Sequence, residues 1–237
     1  MNPNNAKGTA IFLCDITGHM AAPWIEAGYR AVLVDPQHGT SKDDDKIERI
    51  AATVLGAAQR LGEILRTENV VFACGFPPCT DVAVSGSRWF ADKAKKDKHF
   101  QAKAALVAEQ CRMVCLLADA PGFFENPVSV FSSIFGKASH IFSPDDYTGH
   151  CANDNYTKTT CLWTFGDFVM PAPFKNEKLG VPDHRIHTAP PGPERANFRS
   201  ATPMGFARAV FLANAPHLRV PANDNAPANR EIKHQSQ

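Results

Sequence analysis

Residues 70–80 read VVFACGFPPCT. The first five, Val70 to Cys74, are apolar without alternation, which is the pattern of a strand buried on both faces of a parallel sheet. Each of the two prolines that follow fixes its own φ and drives the residue before it out of the helical region. Phe76-Pro77-Pro78 therefore reads as a stiff extended arm that leaves the strand, with Cys79 at its tip. In open α/β sheets the carboxyl ends of the strands are where ligands bind. The stretch predicts an α/β fold and a cysteine held over its ligand crevice.

Working outward, TAIFLC (9–14) is a first strand, turning at DITG (15–18) into a short helix over 21–28 whose Pro23 is tolerated only in the first turn. RAVLVD is a second apolar strand that ends on Asp35. IERIAATVLGAAQRLGEIL (47–65) has apolar residues at helical spacing and predicts a helix leading to the 70–74 strand. A long helix over 99–118, a strand GFFENP (122–127), a short helix near 129–135 and a helix over 202–214 continue the chain. For the last of these Thr202 is the expected N-cap, with Pro203 in the first helical position. This β-α alternation predicts a mostly parallel sheet with helices on both faces.

The 237 residues, 44% of them hydrophobic, suffice for one substantial core, with residues 1–220 forming one domain. The proline-rich run between 171 and 203 reads as a long surface segment, and PANDNAPANREIKHQSQ (221–237) as a disordered tail. No apolar run reaches the length of a membrane span, and MNPNNAKGTA has no signal-peptide core, so a cytoplasmic protein with no membrane association is expected. Seven dispersed cysteines fit reduced thiols better than a disulfide framework. The formal charge of +1 excludes a protein that coats nucleic acid but permits a local basic face. His140, His150, Cys151 and Cys161 lack the tight paired spacing of a zinc site, and no metal is expected.

Taken in order, DITG, an acid after the second strand, PPC (77–79) and ENP (125–127) resemble the DNA cytosine methyltransferases that act at carbon 5. The resemblance covers about residues 9–165. Its nearest likeness is to short phage-type and prophage-type forms, around CDITGHMAAPWIEAGY, YTKTTCLW and RSATPMGFA. It implies a Rossmann-like methyltransferase fold, S-adenosylmethionine as methyl donor and cytosine-containing DNA as partner, in the cytoplasm of a bacterial or phage-infected cell. Cys79 would be the nucleophile and Glu125 the acid at the ring's N3. Asn126 and Pro127 would direct that glutamate. Asp15, Ile16, Thr17, Gly18, Asp35 and Pro77 would line the donor site. Pro78, Ser85, Arg88, Asn126, Lys158, Arg195 and Arg199 would face the substrate.

The residues make chemical sense of this set without the name. Carbon 5 of cytosine is a poor nucleophile, and a thiolate adding to carbon 6 activates it, provided an acid meets the charge that develops on the ring. A buried strand-tip carboxyl with a raised pKa could be that acid, although Glu125 taken alone reads equally as a salt-bridged carboxylate. Asp35 is placed to accept ribose hydroxyls, and Gly18 permits a ligand to approach the backbone. The loop after Cys79 carries Arg88, Lys93, Lys95, Lys96 and Lys98. They form either a clamp on the DNA backbone or a solvated helix face. Only about thirty residues, 165–200, are available where the larger family inserts a domain that reads DNA sequence. Two other readings therefore stay open: a free cytosine nucleotide as substrate, and a non-catalytic protein that binds DNA or the donor.

Overall fold

The computed structural model describes residues 7–39, 42–43, 46–190, 192 and 195–218; the expected tail at 221–237 lies outside them. The strands are β1 Thr9–Leu13, β2 Arg30–Val34, β3 Lys42–Asp43, β4 Ile47–Ile50, β5 Val70–Gly75, β6 Gly122–Pro127, β7 His140–Phe142 and β8 Thr160–Phe165. The helices are α1 Ala22–Glu26, α2 Ala58–Thr67, α3 Phe90–Lys96, α4 Phe100–Leu117, α5 Phe131–Ile134, α6 Arg185–Thr188, α7 Arg195–Ser200 and α8 Met204–Asn214. All eight strands join one sheet in the order β3-β4-β2-β1-β5-β6-β8-β7.

The five central strands β4, β2, β1, β5 and β6 run parallel, while β3, β8 and β7 add to the two edges antiparallel. β1 and β5 are buried along almost their whole length, as continuous apolar runs dictate. Alternate β1 residues feed two separate cores. Ala10 and Phe12 pack with Trp24 of α1 and Phe206 and Val210 of α8, whereas Ile11 and Leu13 pack with Leu61 and Ile64 of α2 and Cys111 of α4. Helices thus cover both faces. The architecture is α/β and mostly parallel, consistent with a Rossmann-like fold.

Three expectations need correction. The segment 47–65 is not one helix: residues 47–50 form β4, and α2 begins only at Ala58. The inward side of β4 is Glu48 and Ile50, and Glu48 is only 7% exposed. Its carboxylate accepts from Arg60 Nε at 2.8 Å and Nη2 at 3.0 Å, and pairs with Arg30 as well. A strand that buries a charge in place of an apolar side chain shows no period-2 hydrophobic signal. Thr202 is not the N-cap of α8; Pro203 holds that position with ψ 131°, one residue later than expected. The 171–203 run, read as one long proline-rich surface segment, contains the short helices α6 and α7.

The strand order fixes where a ligand can go. Succession from β1 passes to β2 on one side and to β5 on the other, so the chain's direction across the sheet reverses between β1 and β5. The crevice above that switch point is the general ligand site of doubly wound sheets. DITG leaves β1 there, and the PPC arm leaves β5 beside it.

Candidate active site

Register brings the two halves level. Leu13 pairs with Gly75, and Gly75 pairs with Phe124, so Phe76 and Glu125 emerge side by side just above the sheet. Phe76 N donates to Leu13 O at 2.9 Å before the prolines end the ladder. Gly75 itself is needed for close approach: a Cβ there would stand 2.7 Å from Cys111 Cβ and 2.8 Å from its Sγ. Absence of that carbon lets α4 pack against the strand end that launches the arm.

Cys79 is half-buried, next to buried Pro77 and exposed Pro78. Cys79 O accepts from Val82 N at 3.1 Å and Ala83 N at 2.9 Å, which curls the chain immediately after the thiol. Burial pushes the Cys79 thiol up, the charge of Glu125 pushes it further, and Lys158 and Arg199 pull it back. Glu125 is raised by burial, with Lys158 opposing, and its Oε1 is buried without a hydrogen-bond partner. Asn126, 1% exposed, donates from Nδ2 to Pro77 O at 2.9 Å. This bond ties ENP to PPC directly, so the carboxyl and the thiol are held by one another's supports.

A narrow crevice of about 10 Å³ reaches Glu125, lined also by Phe76, Phe142, Lys158, Thr160 and Thr202 among others. Its far wall comes from the start of α8. Lys158 is half-buried just before β8 and stays in place through its backbone N–H, which donates to Ser143 Oγ at 3.2 Å. The sequence singled out Lys158 only by position in the resemblance; the structure brings it to both Cys79 and Glu125. Arg199 also acts on the thiol and has a buried Nε without a partner. Arg195 is engaged elsewhere, donating from Nε to Ala189 O at 2.8 Å.

At the end of β1, Asp15 is 4% exposed. Its Oδ1 accepts from Gly18 N at 2.8 Å and from Thr17 Oγ1 at 3.0 Å, closing the turn, and Gly18 takes φ +69°, a conformation that suits glycine. Oδ2 of Asp15 is buried with no partner, and burial raises its carboxyl against the pull of the Gly18 and Thr17 hydrogen bonds. Ile16 is half-buried and Thr17 exposed on the turn. Asp35 at the tip of β2 is buried, but its Oδ1 already accepts from Gln37 N at 2.8 Å.

Sequence reasoning missed His38. The Asp35-Pro36 turn carries it back over the strand tips, where burial lowers its pKa, Asp35 and Asp15 oppose that, and Nε2 is buried without a partner. The Asp-Pro start of a turn could have pointed to it. His19 and Asp154 were missed too. His19 Nδ1 lies 3.0 Å from Thr202 O, and Asp154 Oδ2 accepts from Gly205 N at 2.6 Å. Both anchor the start of α8 and had no local signal.

The basic run after Cys79 is matched by acids at two of its five positions, Lys93 and Lys95. Lys93 pairs with Asp81 at 2.7 Å, Lys95 with Asp92 at 3.0 Å, and Lys103 of α4 with Asp97 at 2.6 Å. Ser85 and Arg88 are exposed on a 3-10 turn over 84–89. Among the described residues, no group of three or more His, Cys, Asp or Glu side chains is arranged to hold a metal, and no helix is long and apolar enough to cross a membrane. No protein-family model matches the chain, and no curated protein sequence is similar enough to match it.

Proposed function

We propose that the protein transfers a methyl group from S-adenosylmethionine to carbon 5 of cytosine in DNA. The observation that carries this reading is the mutual tie between the two strand tips. The charge of Glu125 raises the Cys79 thiol, and the Asn126 to Pro77 hydrogen bond fixes the arm that aims one against the strand that bears the other.

The residues present suit the donor. A buried Asp15 oxygen without a partner, beside a glycine in the left-handed region and the buried Asp35, offers acceptors for the amino and hydroxyl groups of such a molecule. When bound, the donor supplies an electrophilic methyl group on a sulfonium. The rest of the chemistry belongs to side chains. The Cys79 thiolate forms a bond to carbon 6, the ring's electron pair moves toward N3, and Glu125, whose carboxyl burial raises, gives N3 a proton in its protonated form. Carbon 5 is then an enamine carbon. Once carbon 5 is methylated, its proton passes to water, the ring double bond re-forms as the thiolate is expelled, and N3 returns its proton to Glu125. Lys158 stabilises the negative charge that the pair shares. A cytosine stacked in a duplex cannot meet Cys79, so the base must be extrahelical.

The test is a trapping assay with DNA containing 5-fluorocytosine and S-adenosylmethionine. Fluorine cannot leave carbon 5 as a proton does, so a denaturation-resistant adduct accumulates with wild type and is absent with Cys79→Ala. Folded, donor-binding protein that gives no adduct would reject the DNA methyltransferase reading, in favour of a free-nucleotide substrate or of binding alone.

A further inference from the structure

The chain has three tryptophans. Trp24 is fully buried and Trp163 is 5% exposed, whereas Trp89 is 53% exposed. Arg88 lies over the Trp89 ring, with its guanidinium carbon 5.1 Å from the ring centroid. Val84, on the same 3-10 turn, is 50% exposed. An indole left in water beside an apolar neighbour, with a guanidinium over its ring, is a surface that favours another flat π system.

This surface is held rigidly next to Cys79. Val82 is fully buried, Val84 N donates to Val128 O and Val130 N donates to Val82 O, so the loop is pinned to the segment that follows β6. A Cβ on Gly86 would lie 4.0 Å from Thr80 O, so the turn folds back on the residue that follows the nucleophile. Three residues of 3-10 rise, about 6 Å, then separate Gly86 from Trp89. On the far side, Phe90 packs edge-on against Phe100 at 5.7 Å, and Lys93 bonds Thr80 O and Asp81. Indole and thiol therefore belong to one braced loop.

We infer that Trp89 with Arg88 is a stacking platform for an unpaired base, and that the nucleic acid this site takes is single-stranded. The inference rests on the DNA methyltransferase reading for the identity of the ligand. The charge of the loop favours a single strand over a duplex. Duplex binding draws its strength from cations that neutralise phosphates, yet of the five in this loop Lys93 and Lys95 are tied to Asp81 and Asp92, which leaves three, Arg88, Lys96 and Lys98. The net charge is only +1. Stacking on Trp89 would supply what phosphate contacts do not, and a single strand spares the enzyme the cost of extracting its target from a helix.

Because Trp89 is the one tryptophan with a solvent-exposed ring, it is the one whose emission a base stacking from solution quenches directly. Titration of the full chain with a single-stranded thymidine oligomer, which contains no target cytosine, should quench the emission, since stacking is tolerant of sequence. Trp89→Ala should bind the same oligomer, followed by the anisotropy of a dye on the DNA, about 5- to 150-fold more weakly. Trp89→Phe, which keeps a flat ring, should fall between. A duplex of equal length should bind less tightly than the single strand. Equal affinity of wild type and Trp89→Ala for the single strand, or tighter binding of the duplex, overturns the inference. Loss of the 5-fluorocytosine adduct with quenching intact would reject the catalytic reading and leave the platform standing.

Discussion

The Asn126 to Pro77 bond carries more of the site than its size suggests, and Asn126→Ala measures how much. The side chain is 1% exposed, so Nδ2 exchanges one buried hydrogen bond for nothing when it is removed. A buried acceptor left unsatisfied costs about 1–3 kcal/mol. Asn126 Oδ1 is itself buried without a partner, and deleting it recovers part of that loss. The net destabilisation expected is about 1–2 kcal/mol, read from urea denaturation with an unchanged m value. Asn126→Asp should be worse. It sets an acceptor against the Pro77 carbonyl and adds a charge next to Glu125. A buried carboxyl of this kind has a folded pKa above its unfolded value of about 3.9. Stability is then retained below that value and lost as pH rises through the folded pKa, so the gap between the Asp and Ala variants widens from pH 4 toward pH 8. In the trapping assay both variants should slow adduct formation by more than stability alone requires, because a thiol displaced by about 1 Å costs on the order of 100-fold. An Asn126→Ala protein within about 0.5 kcal/mol of wild type that traps at the wild-type rate would refute the view that this bond aims the cysteine.

Two further outcomes follow from the same geometry. The thiol and carboxyl share one negative charge over the middle of the pH range, so the trapping rate should be flat there, falling on the acid side above the ordinary glutamate value of 4.5 and on the alkaline side above the ordinary thiol value of 9.0. In Glu125→Gln the acid limb disappears and the slow residual rate climbs with pH, its midpoint below the wild-type alkaline limb because Glu125 no longer holds the thiol up; an unchanged profile would show that the two groups do not titrate together. Gly75→Ala drives a Cβ into Cys111 of α4 and should lower stability by about 1–3 kcal/mol, read as a lower urea midpoint, whereas an unchanged midpoint would mean that α4 yields freely.

What the sequence revealed and concealed divides along a physical line. β1, β2, β5 and β6 are apolar runs between turn residues, and the PPC and ENP tips inherit their places from them, so that the thiol and carboxyl were legible together. β4 was not, because one of its two inward positions is Glu48, whose burial is possible only with Arg30 and Arg60 brought from elsewhere in the chain. β7 and β8 escaped for another reason. β7 is three residues long, and TCLWTF of β8 mixes polar and aromatic positions without a clean period. Lys158 acquires its role only once β8 has folded back antiparallel against β6. The matched lysines of α3 were equally hidden, since a charge run looks alike whether or not acids lie across from it.

The crevice's far wall shows why the last third of the chain belongs to the site. Three side chains pin it from a distance: His19 to Thr202 O, Asp154 to Gly205 N, and Asn214 to the backbone of Val169 at 2.9 Å in both directions. His19 directly follows Gly18, whose N–H is held by Asp15. The turn proposed to hold the donor and the wall proposed to face the base are therefore one short path, Asp15 to Gly18 to His19 to Thr202. A displacement of the turn moves Thr202 with it, since the Nδ1 contact at 3.0 Å leaves little slack and α8 is packed through Phe206 onto Phe142 and Tyr147. In sequence the ends of that contact are 183 positions apart. The fold makes them neighbours, and it does so by placing α1 and α8 against each other on one face of the sheet.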